Sequence, residues 1–256
     1  MLVAMILNSI VHGEGKPVVL LHGLFGAARN LGVITRGLSG ARVISLDLRN
    51  HGESPHGPMD FATMAADVAE TMHSLGVPQA CLVGHSLGGK TAMALALTRP
   101  QTVERLVVMD IAPVSYDHDY DEYVAAMRAI ELHPGLARHE ADAALARVVE
   151  APPMRAFLLN NLVLGAAPHW RIGLEEIAAS MPELLRWDDP PGMQPYTGPT
   201  LFLRGGESHY VRPEADAVIA RLFPNAVLET VAGASHWLHA DKPQQVIASL
   251  KGFLQL

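Results

Sequence analysis

The chain has 256 residues, a formal net charge of −7 and a single cysteine. That length suits one large α/β domain carrying an insertion better than two small domains, and it is enough to bury a sizeable core. The acidic balance and the lack of any Lys/Arg stripe exclude the footprint of a nucleic-acid binder and argue against anionic membranes, and one cysteine cannot form an intramolecular disulfide.

In chain order, residues 1–11 are apolar but carry no positive leader region and no small-residue cleavage site, and Asn8, Ser9 and His12 interrupt the run. They read as a first strand. Short apolar runs at 17–21, 42–46, 80–83, 105–109, 200–203 and 226–231 read as strands buried on both faces. Helical patterns lie between them at 61–75, 87–98, 213–223 and 243–254. This alternation predicts an α/β fold, a mostly parallel sheet with helices on both faces. No window approaches the apolar length of a membrane span. The expectation is a soluble, cytoplasmic protein in which Cys81, inside a strand, is a buried and inert thiol.

The alternation lapses between 112 and 198. Four helix-like stretches, 120–132, 139–149, 154–164 and 172–185, follow one another with no strand among them, until Asp189-Pro190-Pro191-Gly192 returns the chain. The expected division is a core of residues 1–111 and 199–256 with a helical cap inserted at 112–198.

Chemistry concentrates just after the predicted strands, where open α/β sheets bind ligands. Gly84-His85-Ser86-Leu87-Gly88 follows one strand and opens a helix, the context in which G-x-S-x-G holds a serine on a strained turn with its hydroxyl exposed. Ser86 is the candidate nucleophile. A serine hydroxyl needs a base within hydrogen-bond reach, and His236, in Gly233-Ala-Ser-His-Trp237 after the last strand, suits that task. The imidazolium then needs a carboxylate on its other nitrogen, and the oxyanion needs donors already in place. Asp110 closes the strand after the nucleophile, and the N–H groups of Leu87 and Leu24 are the natural oxyanion donors.

The residues Leu20-Leu21-His22-Gly23, Asp47 to Ser54 (D-L-R-N-H-G-E-S), Gly84 to Met93 (G-H-S-L-G-G-K-T-A-M) and Ser235 to His239 (S-H-W-L-H) together resemble the α/β-hydrolase superfamily over essentially the whole core. The R-N-H-G-x-S-P turn, the G-K-T-A-M helix start and Met109-Asp110-Ile111-Ala112-Pro113 are similar to small bacterial esterases of the YbfF type and their mitochondrial relatives. That resemblance implies hydrolysis of carboxylic esters or acyl thioesters by a serine triad. One departure stands out. The superfamily's usual acid follows the next-to-last strand, and here Ser208 occupies that place in Leu203-Arg-Gly-Gly-Glu-Ser-His-Tyr210. The resemblance to YbfF-type esterases places the acid at Asp110, with Glu207 as its rival.

Other residues have plainer readings. His22 anchors the loop after its strand, Asp47 and Arg49 pair or brace the turn they belong to, and His85 walls the site, since adjacent residues on a turn point apart. Lys90, one helical turn beyond Ser86, reads as a structural contact. His56, His118, His133, His139, His169, His209 and His239 lack metal-ligand spacing, and the cluster Asp117, Asp119, Asp121, Glu122 lacks the glycine and distal glutamate of an EF-hand loop. No metal and no cofactor are expected. Among Tyr120, Tyr123, Met127, Phe157 and Trp170, about a third are expected to face the site and the rest to be packing between helices.

The expected function is therefore a serine hydrolase acting on a small-to-medium acyl ester or thioester, a small-molecule substrate with no nucleic-acid or membrane partner. Ser86 in place of aspartate argues against dehalogenase and epoxide-hydrolase chemistry. Cofactor-free haloperoxidases, carbon–carbon bond hydrolases and acyltransferases keep the same three residues, and a binding protein that has lost catalysis keeps the same fold.

Overall fold

The computed structural model describes residues 4–117 and 120–256. His118 and Asp119, two of the residues considered above, lie outside the described residues. Seven strands form one sheet: β1 (Ser9–His12), β2 (Lys16–Leu21), β3 (Ala41–Leu46), β4 (Ala80–His85), β5 (Val103–Met109), β8 (Thr200–Gly205) and β9 (Ala226–Val231), in the spatial order β1-β3-β2-β4-β5-β8-β9. Every pairing is parallel except that of β1 with β3. The chain leaves β2 for β3 on one side and returns to β4 on the other, so the crevice beyond the carboxyl ends of β2 and β4 is a topological switch point.

Strand periodicity sends alternate side chains to opposite faces. Val19, Leu21, Leu82, Leu106, Val108 and Phe202 join one core cluster with α2 (Phe61–Ser74) and α3 (Leu87–Thr98). Val18, Leu20, Cys81, Val83, Val107 and Leu203 join another with α1 (Gly32–Gly37) and α10 (Pro243–Leu254). The helix α3 is covered all round, and of its residues only Thr98 is not buried, so that even Lys90 and Thr91 lie inside. Cys81 is buried and its thiol is pushed up to about 11 by burial, with Glu104 adding to the shift.

Two expectations need correction. The amino-terminal strand is only Ser9–His12. Upstream, the amides of Met5, Leu7 and Asn8 donate to side chains, Asp67 Oδ1 at 2.7 Å, Thr71 Oγ1 at 2.9 Å and Ser54 Oγ at 2.9 Å, so their hydrogen bonds go to α2 and a loop rather than a ladder. Between β5 and β8 run α4 (Asp121–Arg128), α5 (Arg138–Leu145), α6 (Pro152–Leu159) and α7 (Leu174–Leu185). The expected helix over 154–164 instead ends at Leu159, and a short antiparallel pair follows, β6 (Leu162–Val163) with β7 (His169–Trp170). Two-residue strands carry no readable period, and Gly165, at φ +130°, permits the reversal between them. Buried side chains of these helices, Val124, Met127, Leu145, Leu158, Ile177 and Met181 among them, belong to the same cluster as one face of the sheet. After β8 come α8 (Asp216–Leu222) and, beyond β9, α9 (Leu238–Asp241).

Candidate active site

Leu24, Ser86, Asp110, Ser208 and His236 all lie just past the carboxyl ends of β2, β4, β5, β8 and β9 in turn. Ser86 has φ +52° and ψ −118°, a strained conformation for a residue with a side chain. Its turn is possible because its flanks are glycines: a Cβ on Gly84 would collide with the Gly88 carbonyl, and one on Gly88 would collide with the carbonyls of Leu21 and His22. The Ser86 amide is held by Met109 O at 3.1 Å.

Asp110 is fully buried, also at positive φ (+51°), and its amide donates to Leu203 O at 2.8 Å. One carboxylate oxygen accepts from Gly205 N–H at 2.8 Å. The other accepts from His236 Nδ1 at 2.8 Å and from the Ser208 hydroxyl. The serine that stands where an acid was sought thus donates to the Asp110 carboxylate. Glu207 is exposed and makes no bond to His236 among the described residues. With Nδ1 donating to Asp110, His236 Nε2 is the nitrogen left for a substrate-side proton. Ser86 and His236 line one cavity of about 200 Å³. Among the described residues the Ser86 hydroxyl makes no hydrogen bond to His236, a contact that in resting sites is often long and tightens with substrate.

The surrounding histidines are kept neutral by burial. His85 donates from Nε2 to His236 O at 2.9 Å, and burial, with His239 and His236 nearby, holds it well below its ordinary value. His239 lines the cavity and is lowered to about 4, chiefly by burial. His22 is lowered by burial; its Nδ1 bonds Gly23 O at 2.8 Å and its Nε2 accepts from Leu48 N–H at 3.0 Å, which makes it the loop anchor that its position predicts. His51, pushed down to about 3 by burial, accepts from Phe25 N–H at 3.1 Å. That bond and Asn161 Nδ2, donating to Phe25 O at 2.8 Å, fix Phe25 at φ +59° and with it the loop carrying Leu24. The amide of Leu24 and that of Leu87, first residue of α3, make no hydrogen bond among the described residues.

Asp47 and Arg49 do not pair with each other. Arg49 forms a two-pronged ion pair with Asp67 of α2, at 2.6 and 2.7 Å, with both side chains almost wholly buried. Asp47 accepts from Ala28 N–H at 2.7 Å, Glu53 N–H at 3.0 Å and Asn8 Nδ2 at 2.8 Å; burial opposes its charge, yet these bonds outweigh it and lower its pKa. Both residues brace the turn that carries them.

Of the five Met and aromatic candidates, three rather than the expected third face the site: Tyr120, Tyr123 and Phe157 line the cavity, Met127 is fully buried and Trp170 packs against the core elsewhere. Sequence reasoning missed Tyr210, Trp237 and Met154, which also line it. The Tyr210 ring stacks on His236 with centroids 3.8 Å apart and planes 18° from parallel. His56, His133, His139, His169 and His209 are exposed, and among the described residues no group of three or more His, Cys, Asp or Glu could hold a metal ion. None of the described helices is long and apolar enough to cross a membrane.

Residues 16–243 match the family model described as the alpha/beta hydrolase fold. An sn-1-specific diacylglycerol lipase of Mus musculus, ABHD11, is 43% identical over 93% of this chain and 80% of its own length. Esterase YbfF of Escherichia coli is 36% identical over 94% of each chain. The solved structure of a marine microorganism esterase superposes with a TM-score of 0.93 at 33% identity, covering 98% of this chain and all of that one.

Proposed function

This chain belongs to the α/β-hydrolase family and is a carboxylic ester hydrolase, and we propose that Ser86 is its nucleophile, His236 its general base and Asp110 the carboxylate that orients the base. The observation that carries this reading is the 2.8 Å bond from His236 Nδ1 to a buried Asp110, formed beside a serine at φ +52°. Residues 112–198 act as a cap over the site, since Tyr120, Tyr123 and Phe157 come from it to line the cavity.

In the first half-reaction His236 Nε2 takes the hydroxyl proton as Ser86 Oγ bonds the acyl carbon. The carbonyl oxygen becomes an oxyanion held by the N–H groups of Leu24 and Leu87, donors that cost no reorganisation because their loops are already fixed. The C–O bond, or C–S bond in a thioester, breaks, and His236 returns the proton to the leaving group. Water then repeats the sequence on the acyl-enzyme, with His236 again the base, and frees the acid. Asp110 keeps Nδ1 protonated throughout and stabilises the imidazolium. Ser208 holds Asp110 in place. A cavity of about 200 Å³ suits a small-to-medium substrate. A single cysteine requires no oxidising compartment, which fits a cytoplasmic setting, and the cavity fits a small-molecule substrate.

The test is hydrolysis of 4-nitrophenyl esters across acyl lengths by wild type, Ser86→Ala, Asp110→Asn and Glu207→Gln. Ser86→Ala should lose turnover while keeping its fold, and Asp110→Asn should lower kcat about 10⁴-fold. Glu207→Gln should behave as wild type. Loss of activity in Glu207→Gln with Asp110→Asn intact would move the acid.

A further inference from the structure

Lys90 lies one turn into α3, its amide bonded to Ser86 O at 3.0 Å, and it is only 2% exposed. A second, smaller chamber of about 40 Å³ opens beside Ser86 and reaches this side chain. Leu24, Ser86, Tyr120 and Tyr210 line both chambers, while Ile111, Tyr116, Met181 and Leu184 wall the inner one. The Lys90 ammonium lies 5.2 Å from the centroid of the Phe61 ring and 4.8 Å from that of Tyr116. Its polar contacts are carbonyls at the end of α7, Arg186 O at 3.4 Å and Leu185 O at 3.5 Å. Both are long for hydrogen bonds. No ion pair of Lys90 occurs among the described residues.

A methionine or leucine would fill this position at no electrostatic cost, whereas a buried ammonium without a carboxylate is expensive. The contacts to α7 and the two rings offset that cost only in part. Burial accordingly brings the Lys90 pKa down to about 7. An alkyl tail entering the chamber from Ser86 would bring no group that could accept a hydrogen bond from the ammonium. A tail ending in a carboxylate would give it the partner it lacks, as a charge-assisted bond in a dry site.

Resting on the hydrolase reading above, we propose that Lys90 reads the far end of the acyl group, and that the inner chamber selects short acyl groups ending in a carboxylate, the half-esters of small dicarboxylic acids. The size of the chamber restricts the tail to a few heavy atoms, and the larger outer cavity is left for the leaving group.

The test compares kcat/KM for monomethyl succinate and methyl butyrate, which differ only in the group that would meet Lys90, in wild type and in Lys90→Met. Proton release in a pH-stat follows both substrates. The succinate-to-butyrate ratio should fall about 10- to 100-fold in Lys90→Met, the range for a charge-assisted hydrogen bond removed from a buried site. An unchanged ratio, both substrates falling alike, overturns the proposal and leaves Lys90 as a tie to α7. Should Lys90→Met fail to fold, competition against wild-type 4-nitrophenyl acetate hydrolysis decides: monomethyl succinate binding at least tenfold tighter than methyl butyrate supports the proposal, and equal binding overturns it. Wild type that cleaves 4-nitrophenyl acetate without discriminating the two methyl esters removes this inference alone. Failure to cleave any ester removes the hydrolase reading with it.

Discussion

The loops at the carboxyl ends of the strands and the segment proposed to cover them, between β5 and β8, are built in opposite ways. On the sheet side, eleven of the twelve residues of α3 are buried, and Ser86 and Asp110 are locked in strained backbone by hydrogen bonds to neighbouring strands. On the covering side, α4 buries three of its eight residues, and α5 and α6 two each. Strain can persist only where the surroundings over-determine it. The groups proposed to move protons therefore sit on the part of the molecule that yields least, while Tyr120, Tyr123, Met154 and Phe157 enter the cavity from the part with the fewest buried contacts, from which local opening is drawn.

The largest effect should come from breaking the sheet side where it is most polar. Arg49 and Asp67 form a buried ion pair that ties the turn after β3 to α2. Removing one partner leaves an uncompensated buried charge, so Asp67→Asn should lower stability by about 3–5 kcal/mol. Denaturant unfolding measures it. Arg128 and Glu175 form the corresponding pair between α4 and α7, but both are well exposed. Glu175→Gln should cost no more than about 1 kcal/mol. Equal losses from the two variants would erase the distinction between the regions.

A smaller and graded effect follows from pH. His22, His51, His85 and His239 all have folded pKa values below the ordinary 6.5, with burial the main cause in each. The unfolded chain therefore binds more protons below pH 6.5, and stability present above that value is lost as the pH falls towards the folded values of about 3 for His51 and about 4 for His239. Each such histidine contributes at most about 1.4 kcal/mol per pH unit in that window. Melting temperature should be flat above pH 7 on their account and fall steadily from pH 6 to 4. His51→Gln should flatten the slope if it folds. A stability independent of pH between 6 and 4 would refute the buried, neutral state of these rings.

The same division explains what could be read from the sequence. Strands buried on both faces leave continuous apolar runs, and the elbow needs glycine at two positions for steric reasons, so the sheet, Ser86 and the residues ending β5 and β9 were legible. The proposed acid is only half legible: Asp110 follows its strand, but the bond from Ser208 that completes its setting joins residues 98 apart in the chain. Tyr210 was invisible because its stacking on His236 depends on how β8 and β9 lie side by side. In the covering segment the helices kept a period but the β6–β7 pair had none, and only the packing distinguishes Tyr123, at the cavity, from Met127, one turn on and fully buried. Lys90 read as a structural contact because nothing in the sequence shows that a chamber ends at it.

The most delicate comparison concerns the bond that joins the two regions. Asn161, just before β6, is buried and donates from Nδ2 to Phe25 O at 2.8 Å and to Leu158 O at 3.3 Å. Through Phe25 it holds the loop carrying Leu24, while His51 holds the same residue from the sheet side at 3.1 Å. Asn161→Ala removes one of two restraints on a residue at positive φ and leaves a buried carbonyl unpaired, a loss of about 1–2 kcal/mol in stability. If Leu24 N–H stabilises an oxyanion, loosening it weakens an interaction made in the transition state and not with bound ester, so kcat should fall several-fold with KM little changed. A rise in KM at constant kcat would instead make the covering segment a determinant of substrate binding alone, and would separate it from the loop that Asn161 touches.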